Sequence, residues 1–125
     1  RVPKLLAVGA EVTVVAPELH VGLAELAEAG RITWRDRVFQ ESDLDGAWYV
    51  LAATGDADVN ARVAAAAEAR HTFCVRADQA ELGSAWTPAT GDLPGATFAV
   101  LASHNPHRSK ALRNRLLELM ETTDD

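Results

Sequence analysis

The sequence is short of cysteine, of long apolar runs and, over one stretch, of acids, and each shortage excludes something. Cys74 is the single cysteine in 125 residues, so the chain holds no internal disulfide, in keeping with a reducing compartment. The longest apolar runs, around Ala47 to Ala53 and Phe98 to Ala102, fall well short of the ~20 residues that cross a bilayer. The N-terminus lacks a signal-peptide pattern, so the expectation is a cytoplasmic protein with no membrane partner. A net charge of -6 argues against general nucleic-acid binding. The four histidines form no metal motif, and no metal site is expected from them.

What is there suffices for one core: 48% of the residues are hydrophobic, in a chain of single-domain length. The charge is unevenly spread. No acid occurs between Asp92 and Glu118, while Arg108, Lys110, Arg113 and Arg115 fall close together with His104 and His107 beside them. That basic stretch reads either as a solvated helix face or as a site for a polyanionic small molecule.

Strand and helix patterns alternate. Val12 to Val15 suits a buried parallel strand, and Leu19, Leu23, Leu26 and Ala27 repeat at helical spacing until Gly30 closes the helix. Ile32 and Trp34 alternate on a second strand, "SDLDG" makes a turn or one helical turn, and Ala47 to Thr54 is the most buried-looking strand. Asp56 can cap a helix whose inward face is Val59, Val63, Ala66 and Ala67. Thr72 to Asp78 is another strand. Beyond a boundary near Leu82 the rhythm changes: "GSAWTPAT" and "ATFAVLAS" read as an antiparallel pair joined by "GDLPG". A final helix starts at Asn105 with Pro106 at its first position and is expected to bury Leu112, Leu116, Leu119 and Met120.

Several residues stand where ligands meet such a fold. Glu18, just past a strand, can hold an adenosine ribose through its 2'-hydroxyl and repel a 2'-phosphate, which favours NAD over NADP; it can equally be an acid in the first turn of a helix. Thr54, Gly55 and Asp56 lie at a strand's carboxyl end, with or without a nucleotide. Asp78 ends another strand, where a partly desolvated carboxylate can serve as a general base or simply start a loop through an Asx-turn. His20 and His71 read as surface residues, and Cys74 as a small core hydrophobe.

"GAEVTVVAPEL", "DLDGAWYVLAATGDADVN", "RHTFCVRAD" and "ASHNPHRSKALRNRL" occur in this order, and the order and spacing resemble the N-terminal module of siroheme synthases, the precorrin-2 dehydrogenase and sirohydrochlorin ferrochelatase family. The likeness is greatest to the actinobacterial branch, where the module is often fused to a uroporphyrinogen-III methyltransferase. The resemblance implies an α/β fold: a Rossmann-like NAD-binding parallel sheet over residues 1–82, then a β-rich dimerisation segment and the start of a helical region over 83–125. "RVPKLLAVGA" resembles the second half of the first helix, so the glycine-rich loop and the central first strand are expected upstream of Arg1.

The same resemblance implies hydride transfer from precorrin-2 to NAD, giving sirohydrochlorin, and some members also insert ferrous iron. By it, Asp78 is the general base, also implicated in chelation in bifunctional members. Pro17 and Glu18 contact the adenosine half of NAD, Thr54 makes the strand-end contact with Gly55 and Asp56 beside it, and Ser103 lines the tetrapyrrole site with His104, Asn105 and Arg108. A substrate with eight carboxylates gives the basic stretch a reason. "SHNPHRS" departs from the family's serine followed by glycines, which alters the shape of that site. A homodimer is expected through the apolar segment from Ala85 to Ala102. Two other readings stay open: a ligand-sensing Rossmann module that needs no Asp78, and an inactive dimerisation scaffold for a fused methyltransferase.

Overall fold

The computed structural model describes residues 1–102 and 105–123. The helices are α1 (Val2–Ala7), α2 (Val21–Glu28), α3 (Ala57–Ala69) and α4 (Pro106–Thr123), and the strands are β1 (Thr13–Val15), β2 (Thr33–Arg35), β3 (Tyr49–Ala52), β4 (Phe73–Arg76), β5 (Ala89–Leu93) and β6 (Ala96–Val100). Two single 3-10 turns, Glu41–Leu44 and Ala80–Leu82, complete the order, the first meeting the expectation for "SDLDG". The chain forms two compact units, Arg1–Gly46 and Ala47–Asp125; the boundary expected near Leu82 falls inside the second.

The strands pair as β1 with β2 and β3 with β4, both parallel, and β5 with β6, antiparallel. The parallel strands therefore form two separate two-stranded sheets and not one continuous sheet. In the 3-2-1-4-5 strand order of dinucleotide-binding folds, the two pairs are joined by the strand that comes first in sequence. Among the described residues no strand precedes α1.

Three helices end by one device. In α1, α2 and α3 the N–H two residues past the cap bonds back to the third-last carbonyl of the helix: Ala10 to Leu5, Arg31 to Leu26 and Thr72 to Ala67. This Schellman closure needs a left-handed residue at the turn. Gly9 and Gly30 supply it in the first two helices, at φ 83° and 73°, but the third uses His71 at φ 53°, where a Cβ is a steric cost.

In the second unit Val50, Ala52, Val63, Ala66, Ala67, Cys74 and Val75 make the core. The inward row of α3 follows its 3.6-residue period, and its alanines let the helix lie close to the two strands. β3 is shorter and less enclosed than its sequence suggests: Trp48 is 93% exposed and Tyr49 is exposed beside it. The far edge of β4 is occupied by the segment expected as a strand from "GSAWTPAT". Cys74 N–H donates to Ser84 Oγ at 2.9 Å, and Cys74 O accepts from Ser84 N and Ala85 N at 2.9 and 3.1 Å. These bonds draw residues 83–85 against β4 as bends. Gly83 permits the approach, since a Cβ there would lie 2.7 Å from Cys74 O.

The first hairpin strand, β5, begins only at Ala89, after Pro88, and Gly91 and Asp92 belong to it; the turn is Pro94-Gly95 alone, with Gly95 at φ 76°. Pro then Gly at positive φ is the type II pattern. The Phe98 ring lies over its cross-strand partner Gly91, where any Cβ would meet it at 2.5 Å.

α4 packs on this hairpin, but not with the face expected. Leu112, Leu116, Leu119 and Met120 are 39–51% exposed. The sheet side instead takes Ser109, Arg113 and Leu117, spaced i, i+4, i+8. Ser109 sets this rotation: its buried Oγ accepts from Ala102 N at 2.9 Å and donates to Asn105 O at 3.0 Å.

Replacing His71 by glycine removes the Cβ penalty at the end of α3. The expected outcome is a gain of about 0.5–1 kcal/mol in urea unfolding; a loss of stability would show that the imidazole is held by contacts that outweigh the strain.

Candidate functional site

Asp78 sits just beyond β4. The pairing of β3 with β4 continues one step past the strand, through Ala77 N to Ala52 O at 3.0 Å, so Asp78 is the first residue released from it. Its carboxylate is gripped by the side chain two residues back. Arg76 Nε donates to Oδ1 at 3.1 Å and Nη2 to Oδ2 at 2.7 Å. The Arg76 side chain is 5% exposed and that of Asp78 25%. A buried guanidinium needs its charge matched, and this bidentate pair matches it.

That pairing sets the acidity of Asp78. The Arg76 hydrogen bonds lower its pKa to about 2, against an opposing effect of burial and with a smaller contribution from Asn60. The sequence suggested a partly desolvated base; desolvation is present, but the guanidinium outweighs it. The same pairing raises the Arg76 pKa.

Asn60, fully buried on α3, ties the neighbouring strand end. Its Oδ1 accepts from Thr54 N at 3.0 Å and lies 2.7 Å from Thr54 Oγ1, while Nδ2 donates to Thr54 O at 3.1 Å. One amide thus satisfies the whole backbone of the residue that leaves β3. Thr54 Oγ1 also accepts from Asp56 N at 3.2 Å. Asp56 caps α3 as expected, its Oδ1 accepting from Asp58 N and Val59 N at 2.9 and 3.3 Å. The N-terminus of α3 therefore carries its own carboxylate and is closed to a phosphate. Gly55 is exposed, with no heavy atom within 4 Å of where a Cβ would stand.

Pro17 and Glu18 belong to the first unit and form an exposed bend after β1. α2 starts only at Val21, with His20 as its N-cap and no acid in its first turn, so Glu18 is not a first-turn helix acid. A second carboxylate of this unit, Asp43, was not legible as a partner from its sequence. Its side chain is 2% exposed. It accepts from Arg35 Nη1 at 2.9 Å, Arg37 Nη1 at 2.7 Å, Gln40 N at 2.8 Å and Arg37 Nη2. These bonds hold it well below the ordinary carboxylate range, with Arg37 the largest cause, and fasten the end of β2 to the turn after it.

Of the residues expected around a tetrapyrrole, Ser103 and His104 lie outside the described residues. Asn105 is the N-cap of α4, its Oδ1 accepting from Arg108 N at 3.0 Å; the Arg108 side chain is exposed. The basic stretch does not form a single face. At about 100° per residue, Arg108 and Arg115 share one side of α4, and Lys110 and Arg113 lie on another. Among the described residues, no group of three or more His, Cys, Asp or Glu could hold a metal ion, and no helix is long and apolar enough to cross a membrane.

Carboxylates at the ends of parallel strands, each strand leading into or out of a helix, are the layout of a dinucleotide-binding protein. The chain belongs to the putative NAD(P)-binding family, whose model matches residues 1–89. It is 39% identical over 124 residues to a siroheme synthase of Methylobacillus flagellatus, covering 98% of this chain and 27% of that protein. To a siroheme synthase of Chromobacterium violaceum it is 40% identical over 117 residues, covering 93% and 25%. The chain thus spans about a quarter of the length of the curated relatives it matches. Among solved structures it shares its fold with one titled "SirC, precorrin-2 dehydrogenase", at a TM-score of 0.78 and 23% identity, covering all of this chain and 60% of that one. The resemblance to siroheme synthases read from the motifs is met by these relatives.

Two outcomes follow for stability. Asn60→Ala removes a fully buried amide together with its hydrogen bonds to the exposed Thr54, with an expected cost of about 1–3 kcal/mol by urea unfolding; a cost under about 0.5 kcal/mol would mean that water replaces the amide. Asp43 and Asp78 have folded pKa values below their unfolded ones. Their contribution is therefore fully present above about pH 4 and lost as the pH falls toward 2. Melting temperatures followed from pH 7 to pH 2.5 should drop over that window, and less steeply in Asp43→Asn.

Proposed function

We propose that this chain is the NAD-binding and catalytic part of an enzyme that dehydrogenates precorrin-2 to sirohydrochlorin in siroheme biosynthesis. The observation that carries the reading is the held carboxylate of Asp78 beside the Asn60-locked strand end, in a chain whose relatives are siroheme synthases. Residues 1–82 are the dinucleotide-binding segment in this reading.

The residues present fit the dinucleotide. Glu18 stands free of its helix in an exposed bend past β1, where a ribose 2'-hydroxyl would be accepted and a 2'-phosphate repelled, which selects NAD. Pro17 shapes that bend. Gly55 offers an uncluttered backbone at the end of β3, next to Thr54. Asp56 keeps anions off the start of α3, so pyrophosphate contacts fall to a glycine-rich loop of the kind that precedes such a helix as α1.

Dehydrogenation removes two hydrogens, one as a hydride and one as a proton, and leaves a new double bond in the tetrapyrrole. NAD, when bound, takes the hydride with its electron pair. Asp78 is the acceptor for the proton, which it passes to water. Arg108 and the exposed start of α4 face the substrate carboxylates in this reading, with Ser103, His104 and Asn105 alongside. The enzyme works in the cytoplasm as a homodimer. Support for the dimer comes from the hairpin, whose Ala96, Thr97 and Ala99 are exposed on β6.

The test is the absorbance of the full-length protein at the NADH band after mixing with precorrin-2 and NAD. The expected outcome is NADH formation that slows about 100-fold or more in Asp78→Ala, with NAD affinity retained. Equal rates in the two proteins would remove Asp78 from the chemistry, and no NADH in either would leave the scaffold reading.

A further inference from the structure

We propose that Arg76 is the positioning residue for Asp78: its buried guanidinium grips both carboxylate oxygens, so that Asp78 meets the substrate ionised and in one orientation. The inference rests on the dehydrogenase reading above and adds to it a residue that acts through Asp78 and not on the substrate.

The geometry is that of a built support. Arg76 reaches Asp78 with two hydrogen bonds, at 3.1 and 2.7 Å, and its Nη2 lies 3.4 Å from Ala57 O at the start of α3. The side chain thus ties the end of β4 to the first turn of α3, the turn whose Asn60 locks Thr54 at the end of β3. Asn60 touches Asp78 as well, contributing to its acidity. The two residues hold both strand ends and the carboxylate in one frame. A planar fork that meets two oxygens fixes the plane of a carboxylate, which a lysine ammonium cannot do.

The other groups facing Arg76 leave it charged. Cys74, on the same strand, is buried, and burial pushes its thiol up. Glu81 on the following turn favours the cation. Glu68 of α3 lines the same cleft of about 270 Å³ as Arg76. Nothing here competes with Asp78 for both guanidinium edges.

Three functional consequences follow. Asp78 remains a carboxylate across the working pH range, so no fraction of the protein waits for deprotonation before turnover. A proton taken from the substrate leaves Asp78 at once for water, because the pair with Arg76 favours the anion. Before it takes the proton from the substrate, the carboxylate's negative charge also offsets the positive charge that develops there as the hydride leaves.

The experiment is a carbon-13 NMR titration of the Asp78 carboxyl in the full-length protein, joined to kinetics of NADH formation. Wild type is expected to titrate near pH 2, and R76M at or above about pH 4, with R76K between them. In R76M, kcat should fall about 10- to 100-fold at pH 7.5, with the NAD Kd within about twofold of wild type, since the displaced group meets substrate and not cofactor. R76K should recover part of kcat. The rate of R76M should also decline between about pH 5 and 3.5 more steeply than that of wild type.

A wild-type midpoint near pH 4 would overturn the proposal, as would an R76M protein with unchanged midpoint and kcat. Should R76M not fold, the wild-type midpoint and R76K still decide. A wild type that makes no NADH while Asp78 titrates near pH 2 would defeat the dehydrogenase reading and leave the Arg76 pairing standing.

Discussion

The amide of Asn60 is the interaction on which the candidate site depends. It lies fully buried on α3 and satisfies the N–H, the carbonyl and the hydroxyl environment of Thr54, the residue that leaves β3. A strand end that faces a ligand has unpaired backbone groups, and burying them unmet costs about 1–3 kcal/mol each. Asn60 pairs both backbone groups of Thr54. Gly55 and the Asp56 cap can then turn the chain sharply into α3, and Asp78 on the next strand finds both Arg76 and Asn60 within reach.

Much of this framework was legible in the sequence because the residues concerned act locally. Asp56 caps the helix that it precedes, and Val63, Ala66 and Ala67 announce the buried side of α3 by their period. Gly30 ends α2 where a left-handed residue is needed. Asn60 escaped notice since a polar residue in an amphipathic helix reads as solvent-facing. The signal was present: Asn60 stands three and seven residues before Val63 and Ala67, on the inward row, and a polar side chain on a buried row must have partners. Asp43 was hidden for a related reason, because Arg35 and Arg37 meet it only once β2 and the following turn have folded.

The misread elements are those decided by tertiary contacts. α4 meets the hairpin through Ser109, Arg113 and Leu117, a row that apolar spacing alone does not single out, and the buried Ser109 hydroxyl bonds Ala102 N there. Residues 83–85 have no strand pairing of their own choosing; the free edge of β4 bends them through Cys74. The parallel strands form two separate pairs, and α3 packs on β3 and β4. What the local pattern specified was the βα units, and what it left open was their closure.

The proposed function requires that NAD meet the end of β3 while Asp78 serves the chemistry. Amide chemical-shift mapping of the full-length protein with NAD tests it most directly. The account predicts shifts at Glu18 and at Thr54, Gly55 and Asp56, with the β5–β6 hairpin unmoved. Shifts confined to the Asn105–Arg115 stretch, or none at saturating NAD, would contradict it.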